Sequence, residues 1–384
     1  MSLVARLIWQ RKKISRADIA RELGLYRSTV TNITSFLIDA GVVKEGNLQA
    51  AKTQGGRKGM ELSINPSFGC VIGFDIQPSH YRIVILAADG TELWRENGSF
   101  GVMPLLEMLD KAINRALAAH QDIGIPILAL SFAIPGIVDS SFGTVINSFP
   151  FGVSNLNVRD YLTRRYSFPV YVENDANTAA WLDILKSGAW GNAVTVVADF
   201  HEECKTDPNI IGIGCGIGLI MYGRVYRGTH NAAGEFKSVS WRYGLNNQSG
   251  LPSGILKQTM DDREALAQWM VDTFRSFIPL MSVMDAQKMI LHGTPFSDKE
   301  WVLKTLRERV PEFIGLMDEY GCQMLFDAQD ECVSASGAAM MFLHNLFSVP
   351  DLGDQSRNLT WNETIALLRQ QRSLIKTMTI NGGN

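Results

Sequence analysis

The chain has 384 residues, 46% of them hydrophobic, and a formal charge of −3. That length suggests two or three domains, and the apolar content is ample for packed cores. The longest apolar runs, such as residues 125–133, fall short of a membrane span. The start Met1-Ser2-Leu3-Val4-Ala5-Arg6 shows no signal-peptide pattern, and Cys70, Cys204, Cys215, Cys322 and Cys332 form no CxxC pair. A cytoplasmic protein with reduced thiols and no membrane partner is expected.

The charge is unevenly spread. Residues 1–66 hold eleven Lys/Arg and five Asp/Glu, a net +6, and the remainder holds 25 and 34, a net −9. A small basic module on an acidic body points the first segment at a polyanion.

Leu3, Leu7 and Ile8 share a helical face, so residues 2–12 predict a first helix. Ser15-Arg16-Ala17-Asp18 opens a second as a variant capping box, Gly24 turns the chain, and a third helix runs from about 26 to 40. Val30, Ile33, Leu37 and Ile38 would face inward, with Arg27, Ser28, Thr31 and Asn32 outward. This is a helix-turn-helix whose last helix enters the major groove. A polar stretch containing Gly55-Gly56-Arg57-Lys58-Gly59, then a strand at 60–64, predicts a wing with Arg57 and Lys58 on phosphates or in the minor groove. Residues 1–66 therefore read as a winged helix-turn-helix domain that binds double-stranded operator DNA.

Beyond it, 70–75 and 81–86 read as strands, with Ala88-Asp89-Gly90 turning into a third at 92–95. A helix follows Pro104, then a strand at 127–132 and the loop Ile134-Pro135-Gly136-Ile137-Val138-Asp139. Residues 169–172 read as a buried strand and those from Ala176 as a helix. Glu173-Asn174-Asp175 thus falls at a strand-to-helix turn, where side chains and free N–H groups converge. Asn174 both donates and accepts hydrogen bonds, and Asp175 accepts a hydroxyl proton, which suits a polyhydroxylated ligand. The plainer alternative is an Asn-Asp cap on a helix. Residues 210–220 read as a Gly-rich hairpin, and 201–204 as a solvated loop.

The order of these pieces resembles the ROK family of bacterial repressors and sugar kinases. Its carriers are the winged head ending in Gly-Arg-Lys, Asp75 with Asp89-Gly90, the Pro135-Gly136 loop, Glu173–Asn177, Gly214–Gly218 and Ala232-Ala233-Gly234-Glu235. The resemblance implies an α/β, actin-like (ribonuclease H-like) two-lobed sugar-kinase fold behind the head. Lobes are expected at 67–180, joined by a C-terminal helix at about 358–378, and at 181–350. It also implies a sugar-like effector held by Pro135, Gly136, Asn174, Asp175 and Glu235, and a homodimer or higher assembly.

Departures from the family pattern weigh against catalysis. Asp75-Ile76-Gln77-Pro78-Ser79-His80 stands where the kinases carry Asp-x-Gly-Gly-Thr-Lys, and close approach of backbone to phosphate needs glycine. His292 replaces one glycine of a late Gly-Gly pair. Ser238 replaces the zinc-site histidine, and no cysteine occurs between 216 and 321, so no metal is expected. Pro150 stands where the family's kinases place a sugar-contacting Asn. No cofactor and no catalytic residue are expected, Asp175 being the residual kinase-base position. The expectation is a transcriptional regulator, a repressor, that binds its effector without phosphorylating it. The rivals are a sugar kinase with a regulatory head and a constitutive DNA-binding protein with a vestigial pocket.

Overall fold

The computed structural model describes residues 1–48, 60–187, 191–201, 212–245 and 247–348, with Glu363 and Ala366. Helices α1 (Ser2–Arg11), α2 (Arg16–Leu23) and α3 (Arg27–Asp39) build the head with strands β1 (Ile14–Ser15), β2 (Val43–Leu48) and β3 (Met60–Ile64) in the order β1-β3-β2. Ser15 caps α2, its Oγ accepting from the Asp18 backbone N–H at 3.2 Å. Gly24 ends that helix at φ 63°, in the left-handed region where glycine avoids a Cβ clash. Val30 and Leu37 are fully buried and Ile33 and Ile38 partly so, as their spacing required. The expected wing residues Arg57 and Lys58 lie outside the described residues, as does the expected helix at 358–378 except for Glu363 and Ala366.

The first lobe comprises β4 (Cys70–Ile76), β5 (Tyr81–Ala87), β6 (Glu92–Gly98), α4 (Leu105–Ile123) and β7 (Ile127–Ile134). A small meander follows, β8 (Ile137–Asp139), β9 (Thr144–Ser148) and β10 (Val153–Asn157), then α5 (Val158–Thr163) and β11 (Val170–Asn174). Its sheet runs β11-β7-β4-β5-β6. Helix α6 (Asp175–Ser187) crosses to the second lobe. There β12 (Ala193–His201), β13 (Gly212–Met221), β14 (Arg224–Tyr226), β15 (Lys288–His292) and β16 (Gln323–Phe326) form a sheet in the order β14-β13-β12-β15-β16. Helices α7 (Ser253–Gln258), α8 (Arg263–Met284), α9 (Lys299–Arg309) and α10 (Pro311–Glu319) belong to this lobe, and α11 (Val333–Phe347) follows β16.

Both sheets have one plan: an antiparallel three-strand meander whose first strand is also parallel to a fourth, and the fourth to a fifth. Two expectations change here. The Gly-rich run is a single ten-residue strand, not a hairpin in itself. Its glycines make room for α6: a Cβ on Gly218 would stand 2.5 Å from the Ala176 carbonyl oxygen. And α11, expected within the second lobe, returns to the first. A Cβ on Gly73 of β4 would meet the Ala335 oxygen at 2.1 Å, and Ser131 of β7 donates to the Ala338 carbonyl at 2.6 Å.

The head is not strung on a linker. One apolar core holds Val4, Ile8, Trp9 and Val30 of the head together with Val71, Val84, Phe342 and Phe347 of the first lobe. Trp9 stacks on Phe347 with ring centroids 5.7 Å apart.

Candidate ligand cleft and DNA-facing helix

Arg27, Ser28, Thr31 and Asn32 all stand exposed on the first half of α3. Thr31 Oγ1 donates back to the Arg27 carbonyl at 2.9 Å, which leaves its lone pairs outward. No side chain caps the start of α3, so its first N–H groups remain available to an anion.

Between the lobes lies a cleft of about 550 Å³, in the range of ligand sites. It brings together all five expected ligand residues: Pro135, Gly136, Asn174, Asp175 and Glu235. The strand β11 is buried beside β7, and it delivers Asn174 and Asp175 to the sheet's carboxyl end, where α6 begins. Asn174 does the capping work: its Oδ1 accepts from the Asn177 N–H at 3.0 Å and its Nδ2 donates to the Gly136 carbonyl at 3.0 Å. The helix-cap alternative thus holds for Asn174, which also lines the cleft. Asp175 is different. Its Oδ1 accepts from Ala176 N–H at 2.9 Å and its Oδ2 from Gln77 Nε2 at 3.0 Å, leaving acceptor capacity on both oxygens.

Sequence reasoning treated Gln77 as mere damage to a phosphate loop. The structure gives it a job: its amide bridges Asp175 to Asp75 Oδ1 at 2.9 Å. Arg82, opposite Asp75 on the neighbouring strand β5, donates to Asp75 at 3.0 Å and across the cleft to Asp199 of β12 at 2.6 Å. A second tie joins the lobes where buried Glu173 meets Arg227 at 2.6 Å. Neither could be paired from sequence, since 117 and 54 residues separate the partners.

Burial first, and then the charge of Asp75, push the Asp175 carboxyl up to about 6, against the opposing bond from Gln77. Glu235, at the open side, is also raised, by desolvation first and then by Asp175, with Lys237 acting the other way. Asn147, which sequence reasoning missed, lines the cleft beside Pro150, so an Asn side chain is present on that wall after all.

His292 points away from the cleft. Its Nε2 faces both Asp183 oxygens at 3.1 Å and its Nδ1 faces the Asp327 carbonyl at 3.1 Å. Burial lowers its pKa, but the Asp183 bond and the charges of Asp183 and Asp327 outweigh this and leave it raised. Asp183, His292 and Asp327 are close enough together to suggest a metal site. With both ring nitrogens donating, however, no lone pair is left for an ion, and the group reads as a buried ion pair. Ser238, at the family's zinc-ligand position, bonds to Ser240 at 2.9 Å.

Sequence comparisons agree with this architecture. The ROK family pattern matches residues 71–237, and a winged helix-turn-helix DNA-binding pattern matches residues 6–44. The chain therefore carries a ROK-family domain behind a winged helix-turn-helix DNA-binding domain. It is similar to the xylose repressor of Caldicellulosiruptor bescii, 29% identical over 61% of this chain and 56% of that protein. It is also similar to the N-acetylglucosamine repressor of Escherichia coli O157:H7, 25% identical over 62% and 56%. The chain thus spans little more than half the length of these relatives. In fold it resembles a ROK family transcriptional regulator described as a homologue of the E. coli Mlc protein, with TM-score 0.67 and 18% identity over 88% of this chain and 94% of that one. A ROK glucokinase from Streptomyces griseus, solved with glucose and AMPPNP, gives TM-score 0.54 and 21% identity over 71% and 99%. Among the described residues no helix is long and apolar enough to cross a membrane.

Proposed function

We propose that this protein is a DNA-binding transcriptional repressor whose cleft binds a sugar-like effector without phosphorylating it. The observation that carries the second half is the Arg82 bridge. At the end of the cleft where the family's kinases present a glycine loop to phosphate, a guanidinium here ties Asp75 to Asp199. An incoming polyphosphate would meet two carboxylates and a glutamine side chain rather than free backbone N–H groups. The relatives named as repressors support the first half.

The route from cleft to DNA runs along α11. Its first residues, Val333 and Ser334, line the cleft, and Ser334 Oγ donates to the Asp175 carbonyl at 3.1 Å. Its last, Phe347, stacks on Trp9 of α1. Fifteen helical residues span about 22 Å. A ligand that favours one angle between the lobes biases the position of α11 and with it the head. In a homodimer that bias sets the spacing of the two α3 helices on operator half-sites.

Genomic footprinting with the purified chain would supply the operator. Asn32→Ala is then expected to cost about 1–3 kcal/mol and to relax base choice at one position. Unaltered binding and specificity would remove α3 as the reader. A kinase remains the second reading, because Asp175 at about 6 is tuned for a general base. Sugar-dependent ADP formation by the purified chain would establish it and overturn the non-catalytic one.

A further inference from the structure

Between α2 and α3 the chain spends only Gly24, Leu25 and Tyr26. The backbone there is pinned from both sides. The N–H groups of Gly24 and Leu25 both donate to the Ala20 carbonyl, Leu25 at 3.0 Å, and the Tyr26 carbonyl accepts from Val30 N–H at 3.1 Å. Leu25 packs against the head's core, and Tyr26 stands out of it.

Tyr26 is 84% exposed, whereas the next most exposed large apolar side chain of the head, Leu3, reaches 54%. Its hydroxyl bonds to nothing among the described residues and does not cap α3. Helix α2, by contrast, begins on the capping Ser15. A lone tyrosine on a surface needs no function, and Tyr222 and Tyr243 of the second lobe are comparably exposed. What sets Tyr26 apart is its place and its neighbours. Arg11, Arg16 and Arg21 of the head are paired with Glu22, Glu45 and Asp18, but Arg27, the next residue, has no carboxylate partner among the described residues. Ser28, Thr31 and Asn32 follow on the same exposed half-helix.

In a helix-turn-helix the second helix lies in the major groove with its N-terminal residues at base edges, while the first crosses the sugar-phosphate backbone. A residue between the two stands where that backbone forms the wall of the groove. We propose that Tyr26 is a DNA contact of this chain, its ring packed on a deoxyribose and its hydroxyl donating to a phosphate oxygen. The contact rests on the DNA-binding function proposed above. Tyrosine brings a broad apolar face and a polar tip on few rotatable bonds, so little freedom is lost in ordering it. Being neutral, it releases no counterion, and contacts to sugar and phosphate carry no direct sequence information. Tyr26 therefore raises affinity on all sequences alike and leaves the salt dependence to charged residues such as Arg27.

The test is a fluorescence-anisotropy titration of the full chain at several salt concentrations with two labelled duplexes, one short and of mixed sequence, the other the operator found by footprinting. Tyr26→Phe is expected to weaken both about threefold and Tyr26→Ala about tenfold or more, with the slope of log affinity against log salt unaltered. Tyr26→Ser supplies the cap that α3 lacks, so it should melt higher than wild type while binding both duplexes about tenfold more weakly. A purely structural role would not move stability and binding in opposite directions. Unchanged affinity in Tyr26→Ala, or Tyr26→Ser binding as tightly as wild type, would overturn the contact. A Tyr26→Ser chain that melts lower would assign Tyr26 to the fold instead. A loss confined to the operator would make it a reader of bases, and a flattened salt slope would tie it to a charged neighbour; either result overturns the backbone contact. So would dissociation of the Tyr26→Ala assembly in sedimentation, which would place the side chain between copies of the chain. If wild type binds neither duplex, the DNA-binding function itself fails and this contact falls with it.

Discussion

The two lobes share a strand order but not a way of packing against their helices. In the first lobe the glycine that admits a helix is Gly73 on the first strand, where α11 presses in. In the second it is the second strand, where Gly216 and Gly218 let α6 approach. The two helices then meet each other at Gly337, where a Cβ would lie 1.9 Å from the Thr178 carbonyl oxygen. Each lobe is therefore clamped to its own helix, and the angle between lobes is set where α6 touches α11. The same five-strand plan serves two purposes: the first lobe carries the head, and the second closes the cleft.

The largest expected effect comes from cutting the tie between the lobes. Arg227→Ala leaves Glu173 charged and wholly buried in the first lobe, and should cost about 3 kcal/mol in urea unfolding. Adding Glu173→Gln should recover part of that, and an additive double variant would show that the two side chains do not act as a pair.

Gly337→Ala comes next, at about 1–3 kcal/mol, since backbone on both sides has no room to give. Gly73→Ala and Gly218→Ala separate the lobes further. Amide exchange should quicken in the first sheet for one and in the second for the other. Equal loosening of both sheets by either change would mean that the lobes are not independently clamped.

The smallest effect is electrostatic. The Asp175 carboxyl lies near 6 in the folded chain against an ordinary 3.8. The folded state thus keeps a proton that the unfolded chain releases as pH rises from about 4 to 6. Stability falls through that window and the penalty is complete above it. Asp175→Asn should stabilise by on the order of 1 kcal/mol at pH 7.5 and give no gain at pH 3.5. A gain of the same size at both pH values would assign the effect to packing instead.

Much of this was legible in the residues. The Ser15 cap, the outward face of α3, the strand before Asn174 and the convergence of Asp175 with Glu235 all follow from local pattern and family resemblance. The ties that shape the cleft were not. Arg82 looks like any polar residue in a strand until Asp199 is set opposite it, and Asn177 looks like an ordinary first-turn helix residue until its oxygen is seen to lack a partner. The glycines of β13 were read as a turn because the helix that needs them passes over from the preceding segment. Nothing in the periodicity of α11 says which sheet it covers.

The core that runs unbroken from head to first lobe decides how this molecule can be taken apart. Severed after residue 66, the head would carry the Trp9 face of α1 into water, and the body would bare Phe347 in return. Neither piece is a free-standing cassette. The intact chain should melt across that boundary in one heat-absorption peak rather than two. Grafting this DNA reader onto another body means transplanting the outer face of α11 along with it.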